Sequence, residues 1–185
     1  MSVPALDEIL RVHQQADLLF SPAEINAAVE TMAASITARI GTAHPLLLAT
    51  MTGGLVPTAL LLPHLHFPLQ LDYLHVTRYG SALSGGEIEW IKRPPESVRG
   101  RTVLIIDDLL DRGLTLQEAA AECARLGARE TLTAVLVHKE MPTRPGLART
   151  DFCALATPDR YLFGYGMDYK TYWRNGPGIY AVQGT

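Results

Sequence analysis

The sequence predicts a single α/β domain with a twisted, mostly parallel sheet flanked by helices. Short, wholly aliphatic runs, Leu46-Leu47-Leu48 and Val103-Leu104-Ile105-Ile106, have the composition of strands buried on both faces. Other segments carry apolar residues at helical spacing, as in Ile25, Val29, Met32, Ile36 and Ile40. Both aliphatic runs give way to small or acidic residues just before a helix. Open α/β sheets bind ligands at such carboxyl ends of strands.

The composition agrees with this and removes several classes of function. A chain of 185 residues is one domain, 1–185, with ample length for a core. Hydrophobic content of 48% and charged content of 19% are globular values. A net charge of −3 leaves no basic footprint for nucleic acid. No apolar run approaches the ~20 residues of a membrane span, and Met1–Glu8 lacks the basic and apolar pattern of a signal peptide. A cytoplasmic protein is expected. Cys123 and Cys153, in neither metal nor C-x-x-C spacing, are then expected as buried, reduced thiols.

Residues 4–19 read as a first helix with a loose stripe of Leu6, Ile9, Leu10, Ala16 and Leu19. Ser21-Pro22-Ala23-Glu24 is a capping box with proline at the first helical position, opening a helix that stops at Gly41. Leu46–Thr50 is a buried strand ending in Met51-Thr52-Gly53-Gly54, with a short helix following to about Leu62. Paired glycines there let backbone N–H groups approach an anion closely. Leu69–Thr77 is a strand candidate, and Glu87–Lys92 alternates as a half-exposed strand does. Between them lies a small, polar, Gly-rich loop. Thr131–His138 is the next strand, with Lys139 at its end, and Glu140–Thr150 is a connector without clear periodicity.

The densest signal is Val103–Leu116. Four aliphatic residues are followed at once by Asp107 and Asp108, then by a loop holding Asp111, Gly113 and Thr115. Thr115 with Glu118 reads as a second capping box, so Thr115 is the expected N-cap. The face of Leu116, Ala119, Ala120, Cys123 and Leu126 then runs to Gly127. The loop therefore meets a helix N-terminus, where the macrodipole favours an anion, beside two carboxylates that would repel one. A phosphorylated sugar reconciles the two, with phosphate in the loop and hydroxyls on the carboxylates.

This stretch resembles the phosphoribosyl-pyrophosphate motif of the type I phosphoribosyltransferases: apolar strand, two acids, two apolar residues, Asp, any residue, Gly, any residue, Thr. Asp at 111 is similar to the purine branch, the hypoxanthine-guanine phosphoribosyltransferases. The aromatic-rich segment Tyr161–Trp173 and Arg174 resembles that branch's purine-site hood, and the likeness spans about residues 46–180. It implies the type I phosphoribosyltransferase fold, with a helical segment over 1–41 and a small hood from about 150–185.

The resemblance also implies roles. Phosphoribosyl pyrophosphate would be held by Asp107, Asp108, Asp111, Arg112, Gly113, Leu114 and Thr115, with Asp111 as general base. Arg112 replaces a small residue common in the family. Pyrophosphate would meet Thr52, Gly53, Gly54 and Arg174; the family often has Lys where Thr52 stands. Lys139 would read the purine 6-oxo group, Tyr161 stack on the base and Leu162 offer backbone groups. Asp168 would hold a magnesium ion, with Asp107 and Asp108 contributing directly or through water. Arg78 and Tyr79 would open a flexible lid, where the family commonly has Ser-Tyr.

The implied activity is purine salvage, converting hypoxanthine or guanine into IMP or GMP. Family members usually form homodimers or homotetramers. The rivals are a nucleotide-sensing regulator on the same fold and an unrelated Rossmann-like binder. The second lacks both G-x-G-x-x-G after the first strand and any P-loop. His64 and His66, two apart, have no third ligand to complete a zinc site.

Overall fold

In the computed structural model, residues 4–79 and 87–185 are described. The elements are α1 (Leu6–Gln15), β1 (Asp17–Phe20), α2 (Pro22–Ile40), β2 (Leu46–Thr50), α3 (Leu55–Leu61), β3 (Gln70–Tyr79), β4 (Glu87–Lys92), β5 (Thr102–Leu110), α4 (Leu114–Arg125), β6 (Glu130–Glu140), β7 (Phe152–Pro158), β8 (Leu162–Phe163) and β9 (Ile179–Ala181). Six strands form the large sheet in the order β4-β3-β2-β5-β6-β7. All its neighbours are parallel except the β3–β4 pair at one edge. A second, three-stranded sheet has the order β1-β9-β8.

The aliphatic runs are buried because both faces of β5 are covered. Leu104 and Ile106 pack with α2 residues Ile25, Val29 and Ile36. Val103 and Ile105 point the other way, onto Leu116, Ala119 and Cys123 of α4. A period of two thus serves two cores at once, and each fully buried side chain contributes roughly 1.5–3 kcal/mol. The α2 capping box forms as expected: Ser21 N–H donates to Glu24 Oε2 at 2.9 Å, and Glu24 N–H donates back to Ser21 Oγ at 3.5 Å.

Three expectations change. The first helix ends at Gln15, and Asp17–Phe20 is a strand paired with β9 rather than a helix tail. The helical N-terminus braces the C-terminal segment. The Trp173 indole N–H donates to Ile9 O at 2.7 Å, the His13 ring stacks on Trp173 at 4.3 Å, and Lys170 Nζ pairs with Glu8 at 2.6 Å. Second, Phe152–Pro158 is the sixth strand of the large sheet, so the hood segment begins after it. Third, Cys153 is exposed. Cys123 is buried, and burial followed by the charge of Glu122 pushes its thiol up to about 12.

Candidate active site

A cleft of about 480 Å³ opens at the carboxyl ends of β2, β5 and β6. Its floor is the acid pair. Strand β5 runs on through both acids to Leu110, so Asp107 and Asp108 are presented at the sheet's end rather than in a loop. Asp107 is buried; it accepts a hydrogen bond from Thr50 Oγ1 on β2 and another from the Asp108 backbone N–H at 2.9 Å. Burial, then the charge of Asp108, pushes the Asp107 carboxyl well above the usual carboxylate range. Burial also raises Asp108, opposed by the Asp107 contact and by the Arg174 charge.

The glycine pair explains how the acids fit. A Cβ on Gly53 would stand 2.1 Å from Asp108 Oδ2, so only glycine lets the β2 loop lie against that carboxylate. A Cβ on Gly54 would meet Ile106 O at 2.5 Å. Thr52 and Gly53 line the cleft, whereas Gly54 packs behind it. The Met51–Thr52 peptide is cis.

The second wall is the start of α4, and here the expected cap is replaced. Gly113, not Thr115, is the N-cap; it lies in the left-handed region at φ 73, and no side chain caps the helix. Its carbonyl accepts the Gln117 N–H at 3.0 Å and the Leu147 N–H at 3.0 Å, so a long-range contact decides where the helix begins. Thr115 falls inside the first turn and faces the cleft with Asp111, Arg112, Gly113 and Leu114.

Lys139 and the hood close the third side. Lys139 is buried, and its Nζ lies 3.3 Å from Asp111 Oδ1 and 3.4 Å from Asp159 Oδ1. Tyr161, Leu162, Asp168 and Arg174 also line the cleft. Arg174 gathers the acids: Nη2 is 2.5 Å from Asp168 Oδ1, Nη1 is 3.9 Å from Asp108 Oδ2, and Nη1 donates to Gly166 O at 2.5 Å. Arg78 and Tyr79 end β3; their side chains, and the loop 80–86, lie outside the described residues.

A family model described as the phosphoribosyl transferase domain matches residues 17–170. The chain belongs to the phosphoribosyltransferase family. The hypoxanthine-guanine phosphoribosyltransferase of Bacillus subtilis is 33% identical over 90% of this chain and 93% of its own length. The hypoxanthine-guanine-xanthine phosphoribosyltransferase of Tritrichomonas foetus is 27% identical over 95% of this chain and 93% of its own length. A crystal structure of a hypoxanthine phosphoribosyltransferase from Staphylococcus aureus superposes with a TM-score of 0.86 over 97% of both chains. At 22% identity that likeness speaks for the fold alone.

The donor set of this phosphoribosyltransferase suits a hard divalent cation. Asp108 and Asp168 meet at one guanidinium, and their carboxylates offer hard oxygen ligands. Among the described residues no three His, Cys, Asp or Glu side chains converge on one point. Substrate oxygens would have to complete the shell, as is usual for magnesium.

Three residues at this phosphoribosyltransferase cleft carry no role in the sequence: Thr50, which lines it, and Asp159 and Arg144, which contact its residues Lys139 and Asp111 from outside. Thr50 could have been found as the one hydroxyl ending an aliphatic strand. Asp159 and Arg144 left no such mark. The Arg144 guanidinium donates to Asp111 O at 2.7 Å, to Ala148 O at 3.2 Å and to Lys139 O, tying the loop, the connector and the lysine strand together. The connector 140–150 is thus the outer buttress of the loop: Gly146 N–H donates to Arg112 O at 3.1 Å.

Proposed function

We propose that this phosphoribosyltransferase serves purine salvage, joining hypoxanthine or guanine to phosphoribosyl pyrophosphate to give IMP or GMP and pyrophosphate. The relatives from B. subtilis and T. foetus carry names for that chemistry. The observation that carries the reading is the approach of Lys139 Nζ to Asp111 Oδ1, 3.3 Å apart, beside the α4 N-terminus. A cation for a 6-oxo group, a carboxylate for an imidazole proton and an anion site stand in one cleft.

The roles follow from the chemistry. The Asp111–Thr115 backbone cradles the 5′-phosphate at the positive end of α4. Asp107 and Asp108 accept ribose hydroxyls, and the negative charge the pair shares favours the sugar cation that develops as pyrophosphate departs. Thr52, Gly53 and Arg174 hold the leaving pyrophosphate, while Gly54, whose N–H donates to Thr50 O at 2.9 Å, supports the loop from behind. Tyr161 stacks on the purine, Leu162 offers it backbone groups, and Lys139 selects oxo over amino purines. Asp111 takes the imidazole proton as general base. Asp168, with Asp107 and Asp108 directly or through water, would hold a magnesium ion, which would supply charge neutralisation for the leaving pyrophosphate. Arg78 and Tyr79 open the lid that keeps water from the cation. A cytoplasmic homodimer or homotetramer completes the reading.

The test is a steady-state assay with phosphoribosyl pyrophosphate and magnesium against hypoxanthine, guanine, xanthine and adenine in parallel. Turnover of oxo-purines with adenine inert is expected. Preference for adenine would break the role given to Lys139. A folded protein that binds GMP yet turns over none of the four would be a regulator instead.

A further inference from the structure

We propose that Asp159 is a positioning residue: it holds the Lys139 ammonium at the purine 6-position and keeps that charge from collapsing onto Asp111. The inference rests on the purine-site reading above and assigns a residue that reading does not use. The Lys139 side chain is only 10% exposed, so its ammonium depends on the carboxylates it meets. It meets two, at 3.3 and 3.4 Å. Both distances exceed the roughly 2.7–2.9 Å of a committed charge-assisted hydrogen bond. The ammonium is therefore shared as an ion pair between the two carboxylates, with N–H groups left for the base.

The sheet register explains why Asp159 stands there. Lys139 pairs with Thr157 across β6 and β7, and Glu140 pairs with Pro158. Two residues beyond Thr157, Asp159 returns to the Lys139 face. Its neighbour Arg160 does not compete for it, because that guanidinium is engaged by Asp17 Oδ2 at 2.7 Å and by Val182 O at 2.9 Å. Asp159 also opens the segment leading to Tyr161 and Leu162, so the lysine and the hood are set by one stretch of backbone. Without the Asp159 charge, the nearest carboxylate for Lys139 is Asp111. The ammonium would move toward the proposed general base and away from the 6-oxo position.

Asp159→Asn tests this with little risk to folding, since the Asp159 side chain is 53% exposed and Asp111, 3.3 Å from Nζ, still faces the Lys139 ammonium. The variant should raise KM for hypoxanthine by roughly 10-fold, the scale of a charged hydrogen bond, while KM for phosphoribosyl pyrophosphate stays within about 2-fold. Discrimination of hypoxanthine over adenine should narrow by a similar factor. Asp159→Glu, which keeps the carboxylate, should recover most of the loss. The proposal fails if Asp159→Asn leaves the hypoxanthine KM and the oxo-to-amino ratio unchanged. It also fails if both KM values rise together with a lower Tm, the mark of a structural role alone. An active wild type with an indifferent variant removes Asp159 only, whereas a wild type inert toward every oxo-purine removes the purine-site reading and this inference with it.

Discussion

Replacing Gly146 with alanine should slow turnover sharply, although Gly146 does not line the cleft. Its missing side chain lets two backbones touch: a Cβ there would lie 2.4 Å from Gly113 C, 2.5 Å from Leu114 N and 2.7 Å from Gly113 O. Carbon contacts settle at roughly 3.5–4.0 Å, so the connector and the loop that opens α4 must part by about 1 Å. No flexible side-chain end is available to yield instead. Gly146 is not among the glycines in the left-handed region, so alanine adds no backbone strain and the effect is steric. Parting would weaken the Gly146 N–H bond to Arg112 O at 3.1 Å and the Leu147 N–H bond to Gly113 O at 3.0 Å. Overpacking typically costs about 1–3 kcal/mol, which for a domain of this size lowers Tm by roughly 3–10 °C. A misplacement of about 1 Å in a substrate-positioning loop costs on the order of 100-fold in rate. Thermal melts and steady-state kinetics with varied phosphoribosyl pyrophosphate measure both. If kcat/KM for that substrate stays within about 3-fold of wild type and Tm is unmoved, the connector does not set the loop, and the buttress argument is wrong.

Three further outcomes are expected. Asp111→Asn should keep substrate binding and lower kcat by roughly 100-fold, the scale of a lost general base; wild-type turnover would remove Asp111 from the mechanism. Asp168→Ala should raise the magnesium concentration needed for half-maximal rate and release the Arg174 Nη2 contact at 2.5 Å, and an unchanged magnesium titration would contradict its role. Glu122 is an acid test of stability. Arg125 first, then Arg93, hold its carboxyl down at about 2, against an ordinary value of 4.5. A depressed folded value means the stabilisation is present above the unfolded value and disappears as pH falls from 4.5 toward about 2. Discounted for the exposed arginines, Glu122→Gln should destabilise by about 1–2 kcal/mol at neutral pH. Melts of the two proteins should converge near the acid end, and a gap that persists there would point to lost packing rather than lost charge.

The parts of the site that were legible in the sequence are those whose chemistry is local. Asp107, Asp108, Asp111 and Gly113 lie close together at the end of one strand, and their spacing survives in any fold that keeps the strand. Thr115 shows the limit. By sequence it is a good N-cap, yet the Gly113 carbonyl takes both the first helical N–H and the Leu147 N–H, which moves the start of the helix back. Arg144 shows it again: its acceptors Asp111 O, Lys139 O and Ala148 O are backbone atoms, which no side-chain pattern can announce.

Strands β2 to β6 and helices α2 to α4 were already placed by the sequence, because burial on one or both faces imposes a period that neighbouring residues must obey. The sequence also determined that a glycine-containing turn and a helix follow an acidic strand end. Only the tertiary structure decided that β7 completes the large sheet, that β1 pairs with β9, and that Lys139 stands between Asp111 and Asp159. Those facts depend on residues distant along the chain coming within a few ångströms of one another. A local pattern records which face a side chain needs to hide, and not which distant group will be there to meet it.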